Sequence, residues 1–221
     1  MRLWTLDRTL RQLQSRYYRG DTSAIPEYLT TLAQARALVN APRARAVHLG
    51  AGGHHLDGWI NVDLLPDGAD LLADCGAHAL PFRSESVDFI HSEDLLEHLD
   101  RVAGKALLHE CHRVLKSGGV MRLLTPDLRA LIQRVYIERD RAQLAWCNET
   151  LSASGPCEAL NMHLRMNGEH RFVYDEEHLT EVLRATGFRV RRASWNRSRV
   201  PQLRYLDLRD FGLNLFLEAV K

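Results

Sequence analysis

The run Ala46-Val47-His48-Leu49-Gly50-Ala51-Gly52-Gly53, followed by Ile60-Asn61-Val62-Asp63, decides the fold. The first four residues predict a short strand, the glycines a tight turn, and the second run a strand that ends on an acid. In an α/β domain this order holds an adenosine-containing ligand. Glycine lets the backbone approach the ligand closely, and the carboxylate accepts from the ribose hydroxyls. Asp63 follows Gly50 by 13 residues. A dinucleotide site spaces its glycine turn and acid by roughly 20 residues, so the short gap argues against NAD.

The rest of the 221-residue chain is long enough to bury one substantial core. Hydrophobic residues at 45% and charged residues at 26% match a soluble globular protein. A net charge of +1 gives no attraction to nucleic acid or to an anionic membrane, so neither is an expected partner. No apolar run is long enough to span a bilayer, and Met1–Asp7 lacks a signal-peptide core. Cys75, Cys111, Cys147 and Cys157 lie far apart with no CxxC pair. They read as reduced thiols of a cytoplasmic protein, neither disulfides nor a zinc site.

Residues 1–42 form an expected N-terminal helical extension. Leu3, Leu6, Leu10, Leu13 and Tyr17 recur at helical steps, and a second run passes through Tyr28, Leu29, Leu32 and Leu38. The arginines along the first run read as a solvated face. The main domain is expected over 43–221, with strands at 45–49, 59–63, 69–72, 87–91, 120–124, 188–195 and 213–220. Helices are expected at 102–115, at about 127–140 and from 175 to 186. The first is expected to stop at Lys116-Ser117-Gly118-Gly119. Residues 141–174, which contain Ser154-Gly155-Pro156 and Asn167-Gly168, read as an irregular insert near an acceptor site. Alternating strands and helices predict a mostly parallel sheet covered on both faces.

Six ordered pieces carry a specific resemblance. They are His48–Gly52, Gly58–Asp63, Asp74-Cys75 with Leu80-Pro81-Phe82, Ser86–Ile90, Leu96–Leu99 and Glu110–Gly119. From about 45 to 190 the chain resembles a class I S-adenosylmethionine-dependent methyltransferase of the type 11 kind. The resemblance implies a Rossmann-like fold with a mostly parallel seven-stranded sheet, S-adenosylmethionine as cofactor and S-adenosylhomocysteine as product. It places Gly50, Ala51 and Gly52 under the methionine part of the cofactor. It places Asp63, with Leu64 beside it, at the ribose, and Asp74 and Cys75 at the adenine. His91, Ser92 and Glu93 would flank the sulfonium. The family's third glycine is replaced by His54.

Methyl transfer is an in-line displacement, so alignment and exclusion of water come first, and a base is needed only for acceptors that lose a proton. The candidate catalytic residues are His98, His163 and His170, because histidine titrates near neutrality. Arg171 and Tyr174 are candidate acceptor-binding residues. Asp94, Glu97 and His98 form a D-x-x-E-H cluster on one turn. A similar acidic-histidine cluster binds a divalent metal in some quinone-precursor O-methyltransferases, to which the chain is otherwise only distantly similar. Glu97–His98 is read instead as a helix-face pair, and no metal is expected. His109 and His112 read as solvent-face residues.

The leading expectation is methyl transfer to an oxygen or nitrogen of a small-molecule or glycan-precursor acceptor, by a monomer or homodimer. A nicotinamide oxidoreductase is disfavoured because G-x-G-x-x-G fails at His55. A nucleic-acid methyltransferase is disfavoured by the charge and by the lack of an Asn-Pro-Pro-Tyr-like motif. A cofactor-binding scaffold without turnover is the remaining alternative.

Overall fold

The structure, a computed structural model, describes residues 9, 12, 46–208 and 212–221. The expected N-terminal helices lie outside these residues, apart from Thr9 and Gln12, which are helical. Seven strands form one sheet: β1 Ala46–Leu49, β2 Ile60–Asp63, β3 Leu71–Leu72, β4 Val87–Glu93, β5 Leu115–Pro126, β6 Arg189–Arg192 and β7 Asn214–Val220. Their order is β3-β2-β1-β4-β5-β7-β6, and only β7 runs antiparallel to its neighbours. The strand order reverses at β1 and β4, so their C-terminal ends flank the crevice where open α/β sheets bind ligands.

The helices are α1 Arg101–Val114, α2 Leu128–Ala130 continuing as a π-helix over Leu131–Ile137, α3 Arg141–Leu151, α4 Pro156–Arg165 and α5 Glu176–Thr186. Asp100 starts α1 by accepting from the Val102 and Ala103 amides. Gly187, in the left-handed region, ends α5. None of the described helices is long and apolar enough to cross a membrane.

The two faces of the sheet differ chemically. Val47, Leu49, Ile90, Met121, Leu123 and Leu217 point to one side, where they pack with Leu107, Leu108 and Val114 of α1 and Leu179 and Leu183 of α5. Strand alternation sends the intervening residues to the other side. There the register lines up Asn61, His48, His91, Arg122, Glu218 and Arg191 in one row across every strand but β3. His48, His91 and Arg122 are almost wholly buried. Burial first, and the neighbouring His91 second, push the His48 imidazole down to about 4, so it is neutral at physiological pH. Arg122 ties the segment 194–207 to this face. Its guanidinium donates to both Asp207 oxygens, to the Ser194 and Arg197 carbonyls at 2.9 Å each, and to Glu218 at 3.4 Å.

Three expectations are corrected. The 141–174 insert is largely helical. Asp140 caps α3 through the Ala142 and Gln143 amides, and Gly155-Pro156 is the start of α4, with proline in its first turn, where no amide is needed. These helices close a second small core of Leu131, Val135, Cys147, Ala159 and Leu213. The first helix ends within one residue of the expected stop, but Lys116–Gly119 is strand and not a glycine cap. α1 stops at Val114 and the segment enters β5, with a register shift between Val87 and Phe89 and Lys116 paired to Asp88 at 2.8 Å. His112 is half-buried, its ring edge-on to Phe188 at 4.9 Å.

Candidate functional site

The glycine turn is held open by hydrogen bonds to β2. The Gly50 and Ala51 amides donate to the Val62 carbonyl at 2.9 and 3.1 Å. Gly50 has φ +70°, and a Cβ there would lie 2.8 Å from the Leu95 Cβ. Both facts demand glycine. Gly50→Ala is expected to lower stability by about 2 kcal/mol, about 4–8 °C in Tm for a chain of this size. Thermal melting checks this. A Cβ at Gly52 would meet no atom within 4 Å, so the turn opens outward there. His54 donates its amide to the Ala51 carbonyl at 2.8 Å, which closes the turn, and sets its ring edge-on 5.6 Å from that of His48.

Asp63 joins the end of β2 to this turn. Its Oδ2 accepts from the Gly52 amide at 2.7 Å and its Oδ1 from the Leu65 amide at 2.8 Å. A carboxylate has about four acceptor positions, so two remain for a pair of adjacent hydroxyls. Leu64 is exposed on the adjoining lip. Asp74 accepts from the Gly76 and Ala77 amides through Oδ1. Cys75 is buried, and burial pushes its thiol up to about 12, so its side chain is inert. The Asp63 carboxylate, the open glycine turn and the Asp74–Gly76 loop follow the C-terminal ends of β2, β1 and β3, on the ligand-binding edge of the sheet.

The turn Leu95–Leu99 binds these parts together. Leu95 abuts Gly50, and Leu99 reaches 2.6 Å from a Cβ at Gly76. Ser92 and Glu93 are at the C-terminal end of β4, where the Glu93 carboxylate accepts from the Leu208 amide at 3.0 Å. His91 lies deeper, inside the sheet's polar row, its ring 5.1 Å from that of His48.

The segment 94–99 contains a short 3-10 turn, Leu96–His98, in place of the expected helix face, and Glu97 is fully buried. Glu97 points to β5, where Thr125 Oγ1 donates to its Oε2 at 3.0 Å. Its carbonyl accepts from the Arg171 and Phe172 amides at 2.7 and 3.1 Å. That clamp brings His170 against His98, with ring centroids 4.9 Å apart and planes at 87°. Burial and then the neighbouring His170 hold His98 below the usual histidine range.

Two expected acceptor-site residues lie elsewhere. Tyr174 is 2% exposed in the main core, stacked with His178 and near Gly104, and burial pushes its phenol up to about 12. His163 is buried in the second core, with Nε2 3.3 Å from the Cys147 sulfur and its ring stacked on Trp146. Burial lowers it to about 4. These placements correct their expected exposure to the acceptor, because apolar packing claimed both side chains. His163 still acts on the site through its carbonyl, which faces His170 Nδ1 at 2.6 Å. Arg171 is exposed and joins the site through its backbone. No linear signal pairs Glu97 with His170, since the clamp is made by main-chain groups.

Residues 64–123 match the methyltransferase domain family, a stretch that runs from the lip after Asp63 through β4 and α1 into β5. No curated protein matches the chain. Among solved structures, it is similar to a SAM-dependent methyltransferase from Archaeoglobus fulgidus, with 14% identity, TM-score 0.52, and coverage of 87% of this chain and 93% of that one. It is also similar to an S-adenosylmethionine-dependent methyltransferase from Mesorhizobium loti, with 16% identity, TM-score 0.50, and coverage of 86% and 98%. The fold is thus that of the class I methyltransferases.

Proposed function

We propose that this chain, built on the class I methyltransferase fold, transfers a methyl group from S-adenosylmethionine to an oxygen or nitrogen of a small-molecule or glycan-precursor acceptor. The observation that carries the reading is Asp63, a carboxylate that closes an open glycine turn at the ligand-binding edge of the sheet. When bound, S-adenosylmethionine supplies a methyl group on a sulfonium centre. The chain's own residues then align two partners. Asp63 holds the ribose, Gly50–Gly52 give the amino-acid part close access, and Asp74 with the Cys75 amide faces the adenine.

The acceptor side is formed by His98 and His170. His170 donates Nδ1–H to the His163 carbonyl, which leaves Nε2 with its lone pair. That lone pair accepts from an acceptor hydroxyl or amine and orients its heteroatom, which is the alignment an in-line displacement requires. The near-neutral charge supports a small acceptor over a nucleic acid.

The test is release of S-adenosylhomocysteine with panels of hydroxyl and amine acceptors. His170→Ala is expected to cut turnover about tenfold, the value of one lost hydrogen bond, while calorimetry shows unchanged cofactor affinity. Loss of cofactor affinity instead would move His170 to the cofactor side. No binding of S-adenosylmethionine by the intact chain would remove the reading altogether.

A further inference from the structure

The Glu97, His98 and His170 side chains each offer one ligand atom, and these atoms lie within 4.8 Å of one another. They come from two segments, one after β4 and one before α5, joined by the Arg171 and Phe172 amides on the Glu97 carbonyl. From this geometry we propose that Glu97, His98 and His170 bind a divalent cation of the zinc class, with one coordination position left for the acceptor.

Three features of the surroundings favour ligation over a chance cluster. The His170 imidazole is anchored at one ring nitrogen by a main-chain group, its Nδ1 lying 2.6 Å from the His163 carbonyl. Metal-binding histidines are held in this way, because the anchored N–H fixes the tautomer and frees the other nitrogen. Thr125 does the same for the carboxylate by donating to Glu97 Oε2. Glu97 itself is fully buried, and a carboxylate away from water attracts a cation more strongly than an exposed one.

Two imidazoles and one carboxylate select zinc, or a similar transition metal, over magnesium and calcium. Three protein ligands with a fourth position open are the arrangement of catalytic zinc. Ligand distances of about 2.0–2.2 Å put neighbouring ligand atoms roughly 3.5 Å apart. His98 and His170 are half-buried and can close the remaining gap by side-chain rotation. An acceptor hydroxyl in the open position would lose its proton more readily, which is the ordinary action of such a cation on a bound oxygen. That catalytic use rests on the methyl-transfer reading, with the cation, held by the free His170 nitrogen, taking the place of the direct contact from that nitrogen to the acceptor. Cation binding itself does not.

The experiment is titration of the full, chelator-stripped chain with zinc by calorimetry and with cobalt by visible absorption. One equivalent is expected to bind, with the intense bands of a four-coordinate cobalt site. His98→Ala and His170→Ala should each weaken zinc binding at least about a hundredfold. Glu97→Gln, which keeps the shape of the buried side chain, should do the same, with circular dichroism as the check on folding. Cys147→Ser, which removes the other nearby ligand type, should leave affinity unchanged. Absence of a saturable site, zinc affinity in either histidine variant unchanged from the intact chain, or loss of binding in Cys147→Ser would each overturn the proposal. Zinc binding without methyl transfer would leave this site standing while removing the proposed function. Chelator-resistant methyl transfer without zinc binding would do the reverse.

Discussion

Asp63→Ala is expected to weaken S-adenosylmethionine binding by about two to four orders of magnitude. The ribose offers two adjacent hydroxyls, and each hydrogen bond to a charged acceptor contributes about 1.5–3 kcal/mol. A tenfold change in affinity corresponds to about 1.4 kcal/mol. The variant also loses the carboxylate that accepts from the Gly52 and Leu65 amides, so the turn itself loosens. Asp63 is only half-buried, so water can take over those amides and the fold should persist. Calorimetry gives the affinity, and circular dichroism the fold. An unchanged dissociation constant would take Asp63 out of the ribose site.

Arg122→Leu is expected to be the most destabilising single change outside the site. It leaves the fully buried Asp207 carboxylate without its cation. Removing one partner of a buried pair costs about 3–5 kcal/mol, or roughly 10 °C or more in Tm for a chain of this length. Glu218 is less exposed to the loss, because Arg191 also pairs with it at 2.5 Å. Arg122→Leu combined with Asp207→Leu should recover part of the stability, since an apolar pair carries no stranded charge. The local consequence is equally readable. Arg122 pins the Ser194 and Arg197 carbonyls, and the same segment reaches Glu93 through the Leu208 amide. Trypsin should therefore cut the variant faster at Arg197, Arg199 and Arg204. Equal cutting rates and an unchanged Tm would show that the buried pair does not hold this segment.

Much of the frame was legible in the residues because its signals are local. Gly50, Gly52 and Asp63 sit within one strand-turn-strand unit, where positive φ favours the two glycines and the Gly52 and Leu65 amides call for a carboxylate. The apolar runs at 46–49, 87–90 and 214–220 mark strands by themselves. The insert misled for an equally local reason. Gly155-Pro156 reads as a turn until a helix is seen to start on it, and α3 and α4 owe their stability to packing on α2, which no local pattern reports.

By itself the sequence determined the order of the strands, the glycine turn and the acid joined to it, because each depends on neighbours in the chain. Only the tertiary structure decided the rest. Strand register set His48, His91, Arg122 and Glu218 in one buried row, though 170 residues separate its first and last members. Packing drew Tyr174 and His163 inward and brought His170 to Glu97 and His98. Such choices depend on which distant segments exclude water together, and burial then sets the charge and the free lone pairs of each group.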